Sequence, residues 1–211
     1  KTREDWIYSM IKNIIFDIGD VLMRFTWDEY IYNLFEGNQD KINGVNDAIW
    51  TSNLWIELDR NVIPPEDVFF KMRNHNIKYW EDVVLALKKA RGCFNRTDYA
   101  IPWITSLKEK GYKIYYLSNY SEFNMATAPE VLDFLPLMDG GVFSCDVKLL
   151  KPERAIFELL CSNYQLTPEE CIFIDDRIEN VEAATDFGMQ AIQFKSYEIT
   201  QASLQDILRK N

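Results

Sequence analysis

The chain has 211 residues, 47% of them hydrophobic, enough for the core of one domain or of one domain carrying an insertion. Its formal charge of −10 excludes a protein that grips nucleic acid through clustered Lys and Arg, and no apolar run approaches the ~18–20 residues of a membrane span. The four cysteines (Cys93, Cys145, Cys161, Cys171) form no Cys-x-x-Cys pair and read as reduced core thiols of a cytoplasmic protein.

Residues 1–10 carry charge but no apolar h-region, so no signal peptide is expected. Ile14-Ile15-Phe16 then runs into Asp17, with Gly19 two positions on. This predicts a buried strand whose C-terminal end presents Asp17 to a cleft, the place where open parallel sheets bind ligands. Taken alone, Asp17 reads equally well as the opening of a turn.

From Met23 to Asn95 large apolar residues recur at helical spacing: Tyr30, Leu34 and Phe35, then Ile49, Trp50 and Leu54, then Val68, Phe69 and Met72, then Val83, Val84 and Leu87. Pro64-Pro65-Glu66-Asp67 signals a helix start and Gly92 a stop. This segment reads as a small helical bundle lying over the site as a lid. His75, the single histidine, excludes a multi-histidine zinc site and reads as a solvated helix-end residue. The expected organisation is a core of residues 1–22 and 96–211 with a helical cap of residues 23–95.

Thr97-Asp98 is expected to cap a helix through Leu107, followed by a strand, Lys113 to Leu117, that ends in Ser118-Asn119. Glu130 to Leu135 reads as a short helix and Gly141 to Ser144 as a third strand. Lys151-Pro152-Glu153 is expected to open a helix with proline at its first position, and Thr167 to Glu170 to form a capping box. Cys171 to Ile174 is the fourth strand, ending in Asp175-Asp176, and a helix stopped at Gly188 follows. Met189 to Phe194 is the fifth strand, and Thr200 caps a final helix. Strands alternating with helices predict an α/β fold, a Rossmann-like doubly wound parallel sheet with an inserted small α-helical cap.

In such a sheet all strand C-termini share one edge, so Asp17, Ser118-Asn119 and Asp175-Asp176 should converge there with Lys151. In order, Asp17-x-Gly19-x-Val21, Leu117-Ser118-Asn119, Lys151-Pro152-Glu153 and Ile174-Asp175-Asp176 resemble the four motifs of the haloacid dehalogenase superfamily. The insertion occupies that superfamily's cap position. The resemblance is nearest to the branch that includes sugar-phosphate phosphatases such as a bacterial α-glucose-1-phosphatase. It implies a Mg²⁺-dependent phosphohydrolase acting through an aspartyl-phosphate on a small phosphorylated metabolite, with a sugar phosphate foremost. The implied partners are that metabolite alone, without nucleic acid or membrane, and the chain would be a monomer or homodimer.

A phosphomonoester dianion repels a carboxylate, so the site must neutralise charge and hold the reactants in line. Asp17 is the expected nucleophile. Lys151 would pair with the transferring phosphoryl group, and Ser118 and Asn119 would donate hydrogen bonds to its oxygens. Asp17, Asp175 and Asp176 suit Mg²⁺, which prefers oxygen ligands, and the resemblance adds the backbone carbonyl of Gly19. Each motif also has an ordinary reading, as a turn, a helix start or an N-cap. Their joint order weighs against those readings.

The superfamily's phosphatases usually carry an acid/base aspartate where this chain has Gly19, and its contribution would be ~10²–10⁴-fold in rate. Asp20 is a poor substitute, because successive strand residues point to opposite faces. Three outcomes are open: an acidic leaving group, another acid such as Asp59 from the lid, or ligand binding with weak turnover. Dehalogenases of the superfamily also lack that aspartate, so a 2-haloacid hydrolase is the alternative, and a non-catalytic ligand-binding module is a third reading. Dehalogenases need no metal and typically lack an acidic fourth motif, which favours the phosphatase. Asp59 and Arg60 stand where the related branch has Glu-Arg, making them candidates for substrate contacts, although a surface salt bridge is preferred for Arg60. Lys148 stands where the branch has glycine and is read as solvated.

Overall fold

The computed structural model describes residues 10–210, and the signal-peptide expectation lies outside the described residues. Its strands are β1 (Asn13–Phe16), β2 (Met23–Phe25), β3 (Phe94–Arg96), β4 (Lys113–Ser118), β5 (Gly140–Phe143), β6 (Cys171–Asp175) and β7 (Gln190–Gln193). Among the described residues, five of them form one sheet in the order β5-β4-β1-β6-β7, with every pair parallel. The chain therefore starts in the middle of the sheet and winds outward in both directions, the doubly wound arrangement expected. Phe16 pairs with Tyr116 on one side and Ile174 on the other. One step further along, Asp17 lies level with Asp175, while Ser118 follows one residue later on β4.

Between β2 and β3 run α1 (Trp27–Leu34), α2 (Gln39–Asn46), a π turn (Asp47–Thr51), α3 (Leu54–Arg60), α4 (Pro65–His75) and α5 (Trp80–Lys88). The core helices are α6 (Ala100–Glu109), α7 (Glu122–Thr127), α8 (Ser144–Val147), α9 (Arg154–Tyr164), α10 (Ile178–Phe187) and α11 (Tyr197–Lys210). The period-two rule divides β1 between two cores. Ile14 and Phe16 pack with Trp103 of α6 and Leu204 of α11, while Ile15 packs with Ile156 and Phe157 of α9 and Ala184 of α10. Phe16 meets Trp103 edge to face, with ring centroids 4.8 Å apart. Each such fully buried side chain contributes about 1.5–3 kcal/mol.

Several local expectations are corrected. The 23–95 segment is not purely helical: β2 and β3 pair antiparallel at its two ends, Met23 opposite Arg96 and Phe25 opposite Phe94. Three-residue strands are too short to display a period of two. Thr97 does not cap a helix, because its hydroxyl donates to the Leu22 carbonyl at 2.9 Å and closes the base of this ribbon. The helix expected over Glu130 to Leu135 is replaced by two 3₁₀ turns, Pro129–Leu132 and Leu135–Leu137. α7 lies earlier, with Ser121 Oγ accepting from Asn124 N–H as its cap. α9 begins at Arg154, leaving Lys151 and Pro152 in the turn before it. Thr167 makes no side-chain cap bond, and Thr200 lies inside α11. His75 ends α4 and pairs with Asp47 at 3.2 Å. All four cysteines are free and buried. No helix among the described residues is long and apolar enough to cross a membrane.

Candidate active site

Asp17 follows β1 directly, and its placement is set by backbone bonds. Its N–H donates to Ile174 O at 2.8 Å, and its Oδ1 accepts from Ile18 N–H at 2.7 Å. The loop then folds back so that the N–H groups of Leu22 and Met23 both donate to Ile18 O. That turn carries Asp20 in the left-handed region, at φ 53°. The exposed Asp20 side chain is committed to Phe25 N–H at 3.0 Å, where it holds the ribbon.

Lys151, 4% exposed, enters between the strand ends. Its Nζ lies 2.9 Å from Asp17 Oδ1 and 2.6 Å from Asp175 Oδ2. Asp175 is fully buried and saturated: Asn180 Nδ2 donates to both its oxygens, and Arg177 N–H donates to Oδ1. Asn119 lines the cleft, but both ends of its amide are bonded to the Lys151 backbone. Its Oδ1 accepts from Lys151 N–H at 2.8 Å, and its Nδ2 donates to Lys151 O at 3.0 Å. Ser118, buried at the end of β4, hydrogen-bonds the Asp17 carboxylate.

Burial lifts the Asp17 carboxyl from the ordinary range to about 7; Lys151 and Ser118 pull it down, and Asp175 pushes it further up. Lys151 is raised, because its two carboxylate partners outweigh its burial. Asp176 is lifted to about 6, by burial first and then by Asp175. One ammonium thus faces three carboxylates, whose oxygens lie within 4.8 Å of one another. The set is all hard oxygen and carries excess negative charge, so it fits a divalent cation such as Mg²⁺. Asp176 lines the cleft whereas Asp175 does not, so Asp176 is the better placed for direct ligation.

The cleft above has a volume of about 460 Å³. Gly19 lines it, and a Cβ there would meet nothing within 4 Å. Part of its lining is aromatic: Phe25, Trp50, Trp55 and Phe94. Trp50 and Trp55 come from the π turn and α3 and pack at 5.0 Å. From the end of α3, Arg60 lines the cleft but pairs with Glu153 at 2.5 Å. Asn61 reaches Glu122 and the Cys145 carbonyl. Asp59 lines the cleft too, and its Oδ1 is buried without a partner. Lys148 is exposed in a left-handed conformation at φ 61°, a backbone region that favours glycine.

Asp17, Ser118, Lys151, Asp175 and Asp176 therefore converge, while Arg60 and the Asn119 side chain are committed elsewhere. The sequence reading missed Asn180, which is 2% exposed in the first turn of α10. Its signal was a polar residue one helical turn after Asp176, on the face that turns back toward the strand end.

A family model described as haloacid dehalogenase-like hydrolase matches residues 11–188. The sesquiterpene phosphatase astK of Aspergillus oryzae is 24% identical over 200 residues, 95% of this chain and 98% of that protein. The D-ribitol-5-phosphate phosphatase of Bacteroides thetaiotaomicron is 26% identical over 196 residues, 87% of this chain and 92% of that protein. A solved Bacteroides thetaiotaomicron HAD-family enzyme, in complex with magnesium and inorganic phosphate, superposes with a TM-score of 0.64 at 21% identity, covering 89% of this chain and 96% of that one.

Proposed function

The chain belongs to the haloacid dehalogenase-like hydrolase family, and on that premise we propose that it is a Mg²⁺-dependent phosphohydrolase that forms an aspartyl-phosphate on Asp17. One observation carries the reading: the Lys151 ammonium bridges Asp17 and Asp175 beside Asp176 at a single sheet edge. A substrate phosphoryl group would take over the Lys151 contact as Asp17 turns from ion-pair partner to nucleophile. Ser118 holds the attacking carboxylate in line. Asp17, Asp176 and the Gly19 carbonyl would hold Mg²⁺, with Asp175 behind them. When bound, the ion neutralises the phosphoryl oxygens. The Bacteroides enzyme seen with magnesium and phosphate supports this reading.

The substrate is a small phosphate monoester whose leaving group has an apolar face, because Phe25, Trp50, Trp55 and Phe94 line the same cleft as Asp17. The relative named a sesquiterpene phosphatase agrees with that chemistry. A sugar phosphate is the second reading, favoured by Asn124, whose buried Oδ1 has no partner and is suited to accept from a hydroxyl. The relative named for D-ribitol-5-phosphate agrees with it. We place the protein in the cytoplasm as a monomer or homodimer, a location that its buried free cysteines support.

Phosphate release from isoprenoid, aryl and sugar monophosphates, with Mg²⁺ and with EDTA, tests this reading. Metal-dependent release is expected, fastest on the apolar esters. Metal-independent halide release from 2-haloacids, without phosphatase activity, would support the dehalogenase instead.

A further inference from the structure

A phosphatase working on an alcohol leaving group needs a proton at the departing oxygen and a base for the incoming water. Neither can come from the nucleophile's own loop. Gly19 has no side chain, and the Asp20 carboxylate is committed to Phe25 N–H. Lys151 is held by two carboxylates.

We propose that Asp59, carried by the cap, is the proton donor and acceptor of this site. This deepens the phosphohydrolase reading and rests on it. Asp59 lines the cleft that Asp17 and Gly19 also line. Its backbone is anchored to the core, since Ser144 Oγ donates to its carbonyl at 2.6 Å while accepting from Tyr120 N–H at 2.9 Å. The two residues that follow tighten this anchor through Arg60–Glu153 and Asn61–Glu122. The backbone is thus held at several points while carboxylate Oδ1 is shut off from water with no donor. Such an unsatisfied group costs stability and calls for an explanation. Proton transfer supplies one, because a carboxyl in this setting keeps its proton near neutrality. Burial, then the charge of Asp17, lifts it to about 7, with Lys151 opposing. The space beside Gly19, where a Cβ would meet nothing within 4 Å, leaves room for a leaving group in the cleft that both aspartates line.

In the first step an Asp17 carboxylate oxygen forms a bond to phosphorus. The phosphorus–oxygen bond to the leaving group breaks with its electron pair moving to that oxygen, which takes the proton of the Asp59 carboxylic acid. In the second step a water oxygen bonds to phosphorus and its proton passes to the Asp59 carboxylate. The bond from phosphorus to Asp17 breaks, the pair returns to the Asp17 carboxylate, and inorganic phosphate leaves.

The test compares wild type with Asp59→Asn on p-nitrophenyl phosphate and benzyl phosphate in Mg²⁺, with circular dichroism as the check on folding. We expect kcat/KM to fall ~10²–10⁴-fold on benzyl phosphate, whose alkoxide needs a proton, and less than ~10-fold on p-nitrophenyl phosphate, whose phenolate does not. The variant should also release about one equivalent of nitrophenol per site in a burst before slow turnover, because the second step lacks its base. Equal losses on both esters, with no burst, would overturn the role of Asp59 and leave the phosphohydrolase reading standing. A folded wild type that releases no phosphate from either ester would overturn that reading, and this one with it.

Discussion

Asn119 holds Lys151 by both ends of its backbone: Oδ1 accepts from Lys151 N–H at 2.8 Å and Nδ2 donates to Lys151 O at 3.0 Å. A residue at the end of one strand thus fixes the turn that delivers the ammonium to two others. Asn119→Ala should cost about 1–3 kcal/mol in urea unfolding, since it leaves buried backbone groups unpaired. It should also lower kcat more than it raises KM, because Lys151 loses its aim without leaving the site.

The two adjacent aspartates should separate cleanly by substitution. Asp176→Asn should fold like wild type but lose the Mg²⁺-dependent rise in Tm that binding to the native state produces. Asp175→Ala removes one of the two carboxylate partners of a buried ammonium and strands the buried Asn180 amide, and should destabilise by about 3–5 kcal/mol even in EDTA. Thermal melts of both variants with and without Mg²⁺ decide this.

Asp59 makes stability depend on pH in a stated direction. Burial lifts its folded carboxyl to about 7, above the ordinary value of 3.8. Between these values the native state binds more protons than the unfolded chain, so stability falls as pH rises through the window. Asp59→Asn does not titrate. It should be more stable than wild type at pH 8, by something on the order of 3 kcal/mol, and lose that advantage towards pH 4. Urea midpoints in metal-free buffer at several pH values measure it.

The open space at Gly19 allows a rescue. A Cβ there meets nothing within 4 Å, so Gly19→Asp should be accommodated and place a carboxyl beside the nucleophile. In the Asp59→Asn background it should recover at least about 10-fold of the lost kcat/KM on benzyl phosphate.

The aromatic wall should govern KM rather than chemistry. Trp55→Ala should raise KM about 10-fold or more for an apolar monophosphate, with a smaller effect on glycerol phosphate and little change in kcat. An equal rise on both esters would move the leaving group away from that wall.

The alternation of strands and helices and the convergence of Asp17, Ser118, Lys151, Asp175 and Asp176 were legible in the amino-acid order. Burial on both sheet faces writes itself as apolar runs, and parallel pairing sends every polar strand end to one edge. The ribbon of β2 and β3 was not legible, because three residues carry no period. Nor were the commitments of Asn119 to Lys151 and of Asp20 to Phe25, nor the identity of Glu153 as partner in the salt bridge expected for Arg60, since a contact between distant residues leaves no local pattern.

The opening strand and its carboxylate were set by sequence alone, as was the absence of an acid at Gly19. Asp59 was one of three outcomes the sequence left open, and the features that single it out for the proposed role belong to the tertiary structure. Asp59 acquires its character from lying against the cleft with Oδ1 sealed and unpartnered, a consequence of how α3 is anchored to Ser144. Desolvation depends on what surrounds a group in space, and neighbours along the chain do not record it.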